Sequence, residues 1–340
     1  MQTQAPEGYL GRSRLRLVHA PTPLVALPRL SARLGVDLWI KRDDATGGAE
    51  AGNKLRKLEW LIAEARDRGA DTVVTCGAVQ SNHCRATVLV AARYGLRSRV
   101  LLRTDDVTRP PALTGNFQLM RMAGAEIVLV TPAQYAVRVE LLAAHDKQLR
   151  ARGRVPYVIP EGGSNGVGSL GYVEAMREVR GQLDAGLAGG ARFDLIVHAC
   201  GSGGTAAGVT VGAGLFDVAS AVRAFAVCDD SATFHQIVAR IRIELASIDP
   251  ALATGAKLDV DDTAKGPRYG VPSPAQARFV VEMVREFGLV LDPVYTGKAL
   301  FGLAQSIARE PALLGKRVLF LHTGGLPGLL AEGEALEAHL

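Results

Sequence analysis

Two segments of this chain could bring a reactive amine and a phosphate-binding loop to one site. Lys54 lies in the segment 52–57, and Lys57 follows it by about one helical turn. A lysine that is buried near other cations loses part of its preference for the charged form, so its amine can form an imine with an aldehyde. Taken alone, Lys54 would more often be a solvated lysine at the start of a helix. The other segments favour the chemical interpretation.

The second segment is a glycine-rich loop that follows an apolar run. Its residues are Gly201, Ser202, Gly203, Gly204 and Thr205, and a helical pattern starts at the last of them. Glycines let the backbone approach a ligand, and the free amides at a helix N-terminus favour an anion. The loop lacks the lysine of a nucleotide P-loop and the glycine spacing of a dinucleotide site. It therefore predicts a site for a small phosphate monoester, with a tight packing turn as the alternative.

A third segment could hold a carboxylate. Residues 80–83 are Gln, Ser, Asn and His, and they follow a predicted strand and open a predicted helix. The side chains of Ser81 and Asn82 would lie in the first turn, beside the free helix amides. Simple helix capping is the alternative, but a cap needs only one of these residues. Tyr269 and Tyr295 lie in turn-like contexts, where half-buried packing is the commoner role.

Short apolar runs alternate with helical patterns along the chain. This alternation predicts an α/β fold with open, twisted parallel sheets covered by helices on both faces. Four predicted strands follow one another between residues 72 and 159. We therefore expect a smaller α/β domain at 55–162, inserted into a larger one formed by 1–54 and 163–340. The polar segment 251–268 is expected to be a surface excursion. The predicted strands are 37–41, 72–76, 98–102, 126–130, 156–159, 195–199, 222–227 and 317–321, and the predicted helices are 54–68, 82–94, 114–123, 133–151, 168–185 and 205–213.

Composition excludes several classes of protein. Of the 340 residues, 48% are hydrophobic and 21% charged, as in ordinary globular proteins. The net charge of +5 is scattered, which argues against a nucleic-acid partner. We expect no membrane span, a cytoplasmic location and reduced thiols. His83, His198 and His322 do not recur at metal-ligand spacing, so no metal site is expected.

Taken together, these motifs resemble the pyridoxal-phosphate enzymes of the tryptophan-synthase-β type (fold type II). More narrowly, the chain is similar to the family of D-cysteine desulfhydrases and 1-aminocyclopropane-1-carboxylate (ACC) deaminases, and most of all to the desulfhydrase branch. The resemblance runs from about residue 21 to the end of the chain. It is carried by the segments 40–44, 52–58, 80–83, 113–116, 200–205, 226–230, 292–298 and 322–325.

The resemblance implies a role for each site residue. It assigns Lys54 to the cofactor aldehyde, and Lys57 with residues 201–205 to the phosphate. It implies cofactor contacts for Asn82, Thr296 and Thr323, the last two at the pyridine nitrogen. Tyr269 and Tyr295 match the active-site tyrosines of the family. The expected substrate contacts are Ser81, Asn82, His83, Gly163 and Tyr295.

One departure from the family pattern bears on the reaction. ACC deaminases carry a glutamate where this chain has Thr296, and a neutral hydroxyl is less able to keep the ring nitrogen protonated. The expected activity is therefore pyridoxal-phosphate-dependent β-elimination of D-cysteine to pyruvate, ammonia and hydrogen sulfide, by a homodimer. The alternatives are an ACC deaminase, an L-cysteate sulfo-lyase, or another lyase, dehydratase or racemase with the same cofactor. A nicotinamide-dependent oxidoreductase is more remote, because it would leave Lys54 unexplained.

Overall fold

The computed structural model describes residues 11–340. Within this range the strands alternate with helices along the chain. The strands are β1 (Leu24–Ala26), β2 (Asp37–Arg42), β3 (Thr72–Ala78), β4 (Arg97–Arg103), β5 (Glu126–Val130), β6 (Pro156–Val158), β7 (Phe193–Cys200), β8 (Ala219–Ala226), β9 (Lys257–Asp261) and β10 (Arg317–His322).

The helices differ in length from short turns to spans of about five turns. They are α1 (Pro28–Leu34), α2 (Lys54–Asp67), α3 (Asn82–Arg93), α4 (Gly115–Met122), α5 (Pro132–Ala136), α6 (Arg138–Ala151), α7 (Gly166–Asp184), α8 (Gly204–Leu215), α9 (Ser231–Ile248), α10 (Pro274–Phe287), α11 (Thr296–Arg309), α12 (Leu326–Ala331) and α13 (Gly333–Glu337).

The strands of the described residues form two sheets. The larger sheet has the order β1-β2-β10-β7-β8-β9, and the smaller sheet has the order β5-β4-β3-β6. The edge pair of β1 and β2 is antiparallel, whereas the other neighbouring strands of residues 11–340 run parallel. The carboxyl ends of the parallel strands therefore meet at one edge of each sheet, where ligands commonly bind.

Alternate residues of the central strands enter cores on opposite faces of the larger sheet. On β10, Val318 and Phe320 pack in one core with residues of α10 and α11. Leu319 and Leu321 pack in another, with residues of α7 and α8. This two-sided burial explains why the strands are continuously apolar.

The predicted fold class is confirmed, and each predicted strand overlaps an observed one. The expected surface excursion at 251–268 is wrong in part, because β9 pairs with β8 there. Leu258 and Val260 alternate with polar residues, which suits a short edge strand. All strands of the smaller sheet lie between residues 72 and 158. The division into a larger domain and an inserted one stays a prediction.

Candidate active site

A cavity of about 390 Å³ lies between the two sheets, at the carboxyl ends of their parallel strands. Its wall contains residues from both sheets and from the start of α2. Most of the residues predicted for the site belong to this wall, namely Lys54, Ser81, Asn82, His83, Gly201, Ser202, Gly203, Thr205, Tyr269, Tyr295 and Thr323. The predicted residues that lie outside it are Lys57, Gly163, Gly204 and Thr296.

Lys54 is the first residue of α2, and the chain before it is held by hydrogen bonds. The Asn53 amide donates to the Thr323 carbonyl at 3.1 Å, and the Gly52 amide donates to Thr46 Oγ1 at 2.8 Å. Burial lowers the pKa of Lys54 to about 8. A fraction of this amine is therefore neutral near neutral pH, as imine chemistry requires.

The loop between β7 and α8 has the shape of an anion cradle. Gly203 has a φ of +81°, in the left-handed region that favours glycine. A Cβ atom at Gly204 would lie 2.7 Å from Ser164 Oγ and 2.7 Å from Lys57 Nζ, so a larger residue does not fit there. Helix α8 begins at this point, and its N-terminal dipole favours a phosphate.

Lys57 and Gly163 lie behind this cradle. Lys57 Nζ donates to the Gly162 carbonyl at 3.0 Å and to Ser164 Oγ at 3.3 Å. Ser164 Oγ lies in turn 2.8 Å from Ser202 Oγ. Burial and the neighbouring Lys54 charge hold the pKa of Lys57 well below its ordinary value. In this geometry Lys57 supports the loop through Ser164, and its direct contact with a phosphate stays a prediction.

The N-terminus of α3 supplies the predicted carboxylate site. Ser81 Oγ accepts a hydrogen bond from the Cys84 amide at 3.1 Å, which makes Ser81 a helix cap as well as part of the cavity wall. Asn82 Oδ1 accepts from Asn116 Nδ2 at 3.0 Å. The side-chain amide nitrogen of Asn82, Nδ2, is therefore the donor that remains for a ligand. The backbone amide of Asn116 donates to Gln80 Oε1 at 2.8 Å, which makes Asn116 a positioning residue; the segment 113–116 contains it, but the sequence assigned it no role.

The tautomer of His83 follows from its neighbour Thr75. The Thr75 hydroxyl donates to the Ile159 carbonyl at 2.8 Å, so it can only accept from His83 Nε2, which lies 2.8 Å away. Burial, followed by the charges of Lys54 and Lys57, holds the pKa of His83 well below its ordinary value. The neutral ring thus carries its proton on Nε2. Its Nδ1 is a buried acceptor without a partner among the described residues.

Tyr269 and Tyr295 form a pair in the cavity wall. Their hydroxyl oxygens are 2.5 Å apart, and their rings meet edge to face. Burial raises the pKa of both phenols. The hydrogen bond from Tyr295 and the nearby Arg103 charge act against this rise at Tyr269. Both hydroxyls therefore carry protons at neutral pH; one proton forms the hydrogen bond within the pair, and the other can be donated to a ligand.

Thr296 and Thr323 differ in their positions. Thr323 lines the cavity. Thr296 is fully buried, and its hydroxyl donates to Asp292 Oδ1 at 2.7 Å while accepting from the Asp292 amide at 2.9 Å. The Asp292 carboxylate also accepts from the Tyr295 amide at 2.8 Å. The expected contact of Thr296 with a pyridine nitrogen is therefore not supported, because its hydroxyl holds the turn before α11.

The wall of the cavity also contains charged residues that the sequence motifs did not identify. The guanidinium of Arg103 lies 5.1 Å from the ring centre of Tyr135 and 5.3 Å from that of Tyr269. Tyr135 donates to Glu161 at 2.5 Å, and Arg138 pairs with Glu161 at 2.7 Å. These residues come from the end of β4, from α5 and α6, and from the turn after β6, so no local sequence pattern groups them.

The residues present fit an aldehyde that carries a phosphate ester. The amine of Lys54 suits the aldehyde. The loop at Gly203 and Gly204, which leaves no space for larger side chains, places the N-terminus of α8 beside the cavity, where it suits a phosphate. Within residues 11–340 no cluster of His, Cys, Asp or Glu side chains is arranged to hold a metal ion. No described helix is long and apolar enough to cross a membrane.

Comparison with known proteins agrees with this chemistry. Residues 15–324 match the family described as pyridoxal-phosphate dependent enzyme, and the chain belongs to that family. It is therefore an enzyme with pyridoxal phosphate as its cofactor, as predicted. The nicotinamide alternative is excluded.

Individual relatives indicate which subfamily of these enzymes the chain resembles. The chain is 42% identical over 320 residues to the mitochondrial bifunctional D-cysteine desulfhydrase/1-aminocyclopropane-1-carboxylate deaminase of Arabidopsis thaliana, covering 92% of this chain and 78% of the relative. It is 39% identical over 335 residues to the D-cysteine desulfhydrase of Yersinia pestis, covering 94% and 95%. The crystal structure of an ACC deaminase homologue superposes with a TM-score of 0.85 at 34% identity, covering 97% of both chains. The predicted resemblance to the family of D-cysteine desulfhydrases and ACC deaminases is thus confirmed.

Proposed function

We propose that this enzyme catalyses β-elimination from D-cysteine or a related β-substituted amino acid. One water is consumed, and pyruvate, ammonia and hydrogen sulfide are formed. The observation that carries the proposal is that the Lys54 amine and the Tyr269–Tyr295 pair line the same cavity. This places a base and a pair of proton donors around one bound substrate.

Pyridoxal phosphate supplies the electron sink that makes the α-proton of the substrate acidic. Lys54, whose pKa burial lowers to about 8, takes that proton. As the bond between Cβ and sulfur breaks, Tyr269 or Tyr295 donates a proton to the departing sulfur, so that it leaves as hydrogen sulfide. Ser81 and the Asn82 amide, at the N-terminus of α3, hold the substrate carboxylate. Lys54 then releases the proton it took and the tyrosine takes one up, by exchange with solvent, which returns both groups to their starting protonation states.

Deamination of ACC is the second candidate. It is supported by the Arabidopsis relative, whose name includes both activities, and by the solved ACC deaminase homologue. The sequence argument against it depends on Thr296, which lies outside the cavity wall. The residue in the wall to consider is Thr323, also a neutral hydroxyl. Because no carboxylate replaces it, we favour elimination of a good leaving group over ring opening.

The test is an assay of purified enzyme with D-cysteine, L-cysteine, L-cysteate and ACC, measuring keto acid, ammonia, sulfide and sulfite. We expect sulfide and pyruvate from D-cysteine, and no sulfide from Lys54→Ala, which should also lose the yellow imine absorbance. Sulfide release by Lys54→Ala at the wild-type rate would refute the assignment of this lysine. Sulfite from L-cysteate would indicate a sulfo-lyase instead, and racemisation without keto acid would indicate a racemase.

We also propose that the enzyme is a cytoplasmic homodimer, as the family resemblance implies. The surface of α12 supports an association: Leu326 is 56% exposed and Leu330 is 73% exposed, and the neighbouring α4 exposes Met122. Light scattering should give twice the chain mass of 35.9 kDa. A monomer at micromolar concentration would contradict the dimer.

A further inference from the structure

The loop that carries Tyr269 is tied to the helix that carries Tyr295 by one buried lysine. Lys298 lies on α11, one turn beyond Tyr295, and is fully buried. Its Nζ donates to the backbone carbonyls of Lys265 at 2.6 Å and Arg268 at 3.1 Å. The second acceptor directly precedes Tyr269. We propose that Lys298 is a positioning residue that sets the hydroxyl of Tyr269 against that of Tyr295.

The loop is built closely around this ammonium group. Gly266 has a φ of +73°, and a Cβ atom there would lie 3.3 Å from Lys298 Nζ and 3.1 Å from the Val271 carbonyl. Gln276, at the start of α10, donates to the Ala264 carbonyl at 2.6 Å. The backbone path from 264 to 271 is thus fixed by polar contacts from the two helices that follow it.

The surroundings of Lys298 indicate that the ammonium group is needed to hold the neighbouring loop. Burial lowers its pKa to about 8, and among the described residues no carboxylate forms an ion pair with it. Backbone carbonyls are therefore its direct partners. A buried ammonium with such partners is costly, and an apolar side chain of the same length would fill the space more cheaply. The hydrogen bonds to the loop explain why a lysine occupies the position.

The consequence for the tyrosines follows from the geometry of one helix. Tyr295 is held at the start of α11 by the Asp292 carboxylate, and Lys298 reaches from the same helix to the Tyr269 loop. The positions of both phenols are therefore set by α11. The hydroxyl oxygens of the two tyrosines are only 2.5 Å apart, so a shift of the loop that carries Tyr269 would break their hydrogen bond. On the proposed function, this pair donates the proton to the leaving sulfur, and the role of Lys298 rests on that proposal.

The test compares two side chains of similar length. Lys298→Met removes the donors, whereas Lys298→Gln keeps an N–H group that can reach a carbonyl. We expect Lys298→Met to lower kcat for sulfide release by about 10²-fold, as misplacement of a catalytic group by about 1 Å can do, with KM within about threefold. Lys298→Gln should retain at least about tenfold more activity than Lys298→Met. Cofactor absorbance should be unchanged in both.

A second readout does not depend on turnover. Amide hydrogen exchange of residues 262–273, measured without substrate, should accelerate at least about tenfold in Lys298→Met, since its two anchoring bonds are lost. Lys265→Met is the matched control, because it removes a lysine from the same loop but leaves the carbonyl acceptor; its exchange and kcat should match the wild type.

The outcomes separate the two proposals. Unchanged exchange in both Lys298 variants, or a kcat within about threefold of the wild type in Lys298→Met, would overturn the role of Lys298. If the wild type releases no sulfide from D-cysteine, the proposed function fails, and hydrogen exchange still decides whether Lys298 holds the loop. If Lys298→Met does not fold, the comparison moves to Lys298→Gln, which should show the same changes at smaller size.

Discussion

Replacing Arg56 should destabilise the protein more than replacing any solvated arginine of the same helix. Arg56 lies two residues beyond Lys54 and is 1% exposed. Its guanidinium donates to both oxygens of Asp43 at 2.8 Å, and to Glu178 at 3.0 and 3.1 Å. Lys41 completes a cluster of two cations and two anions that joins β2, α2 and α7.

The expected magnitude follows from this burial. Arg56→Met keeps most of the packed side chain but leaves two carboxylates facing one cation. Breaking a buried pair by removing one partner costs about 3–5 kcal/mol. Burial alone would raise the pKa of Asp43, but Arg56 holds it below its ordinary value. Without Arg56, Asp43 must either stay charged and unpaired or take up a proton. Part of the loss should therefore be recovered in Arg56→Met with Asp43→Asn, which restores charge balance.

The assay is urea unfolding, followed by circular dichroism and by the fluorescence of the two tryptophans, Trp39 on β2 and Trp60 on α2. Arg68→Met, at the residue that caps the C-terminus of α2, is the matched control, since its side chain is 66% exposed and pairs with Glu64 across one turn. That control should cost only about 0.3–0.5 kcal/mol. A loss in Arg56→Met no larger than in the control would show that the cluster does not stabilise α2, and with it the position of Lys54.

Two further predictions concern the cofactor site. Gly204→Ala should weaken pyridoxal-phosphate binding at least about tenfold in an absorbance titration, since its methyl group would lie 2.7 Å from Lys57 Nζ; Gly181→Ala, with nothing within 4 Å, is the control and should bind normally. Uptake of the cofactor by the stripped protein should speed up as pH rises and level off above about pH 8, because only the neutral form of Lys54 attacks the aldehyde. A rate that falls between about pH 6 and pH 8 would contradict this sign.

The parts of the fold that the sequence predicts are those with strong local patterns. Strands buried on both faces contain a short run of apolar residues, so β3, β4 and β7 are predicted with little ambiguity. Strand β9 is an edge strand with alternating polar residues, and its composition resembles that of a loop. The predicted helices do not include α1, α9, α10, α11, α12 or α13. The turn residues that precede α11 obscure the apolar face that follows them.

The site was predictable where one loop contains the whole feature. The cradle at Gly203 and the cap at Ser81 each lie at one strand–helix junction, so local chemistry identifies them. The position of Thr296 was not predictable, because a residue in the first turn of a helix can face the cavity or bond back to the preceding turn. Here Asp292, four residues earlier, takes its hydroxyl. Contacts such as that of Lys298 with the loop 262–273 join segments about 30 residues apart, and spacing alone cannot reveal them.

A common arrangement underlies the groups that would act on a substrate. Lys54 follows a backbone held by Thr46 and Thr323, and its helix is anchored two residues later by Arg56. The phenols are anchored through Lys298 in the same indirect way. Thr46, Arg56 and Lys298 are buried polar groups outside the cavity wall, and they fix the backbone rather than contact the ligand. Burying these polar groups reduces the stability of the fold. In exchange, the reacting groups are already in position and need no reorganisation when charge develops in the transition state. Substitutions at these buried anchors should therefore lower kcat more than they raise KM.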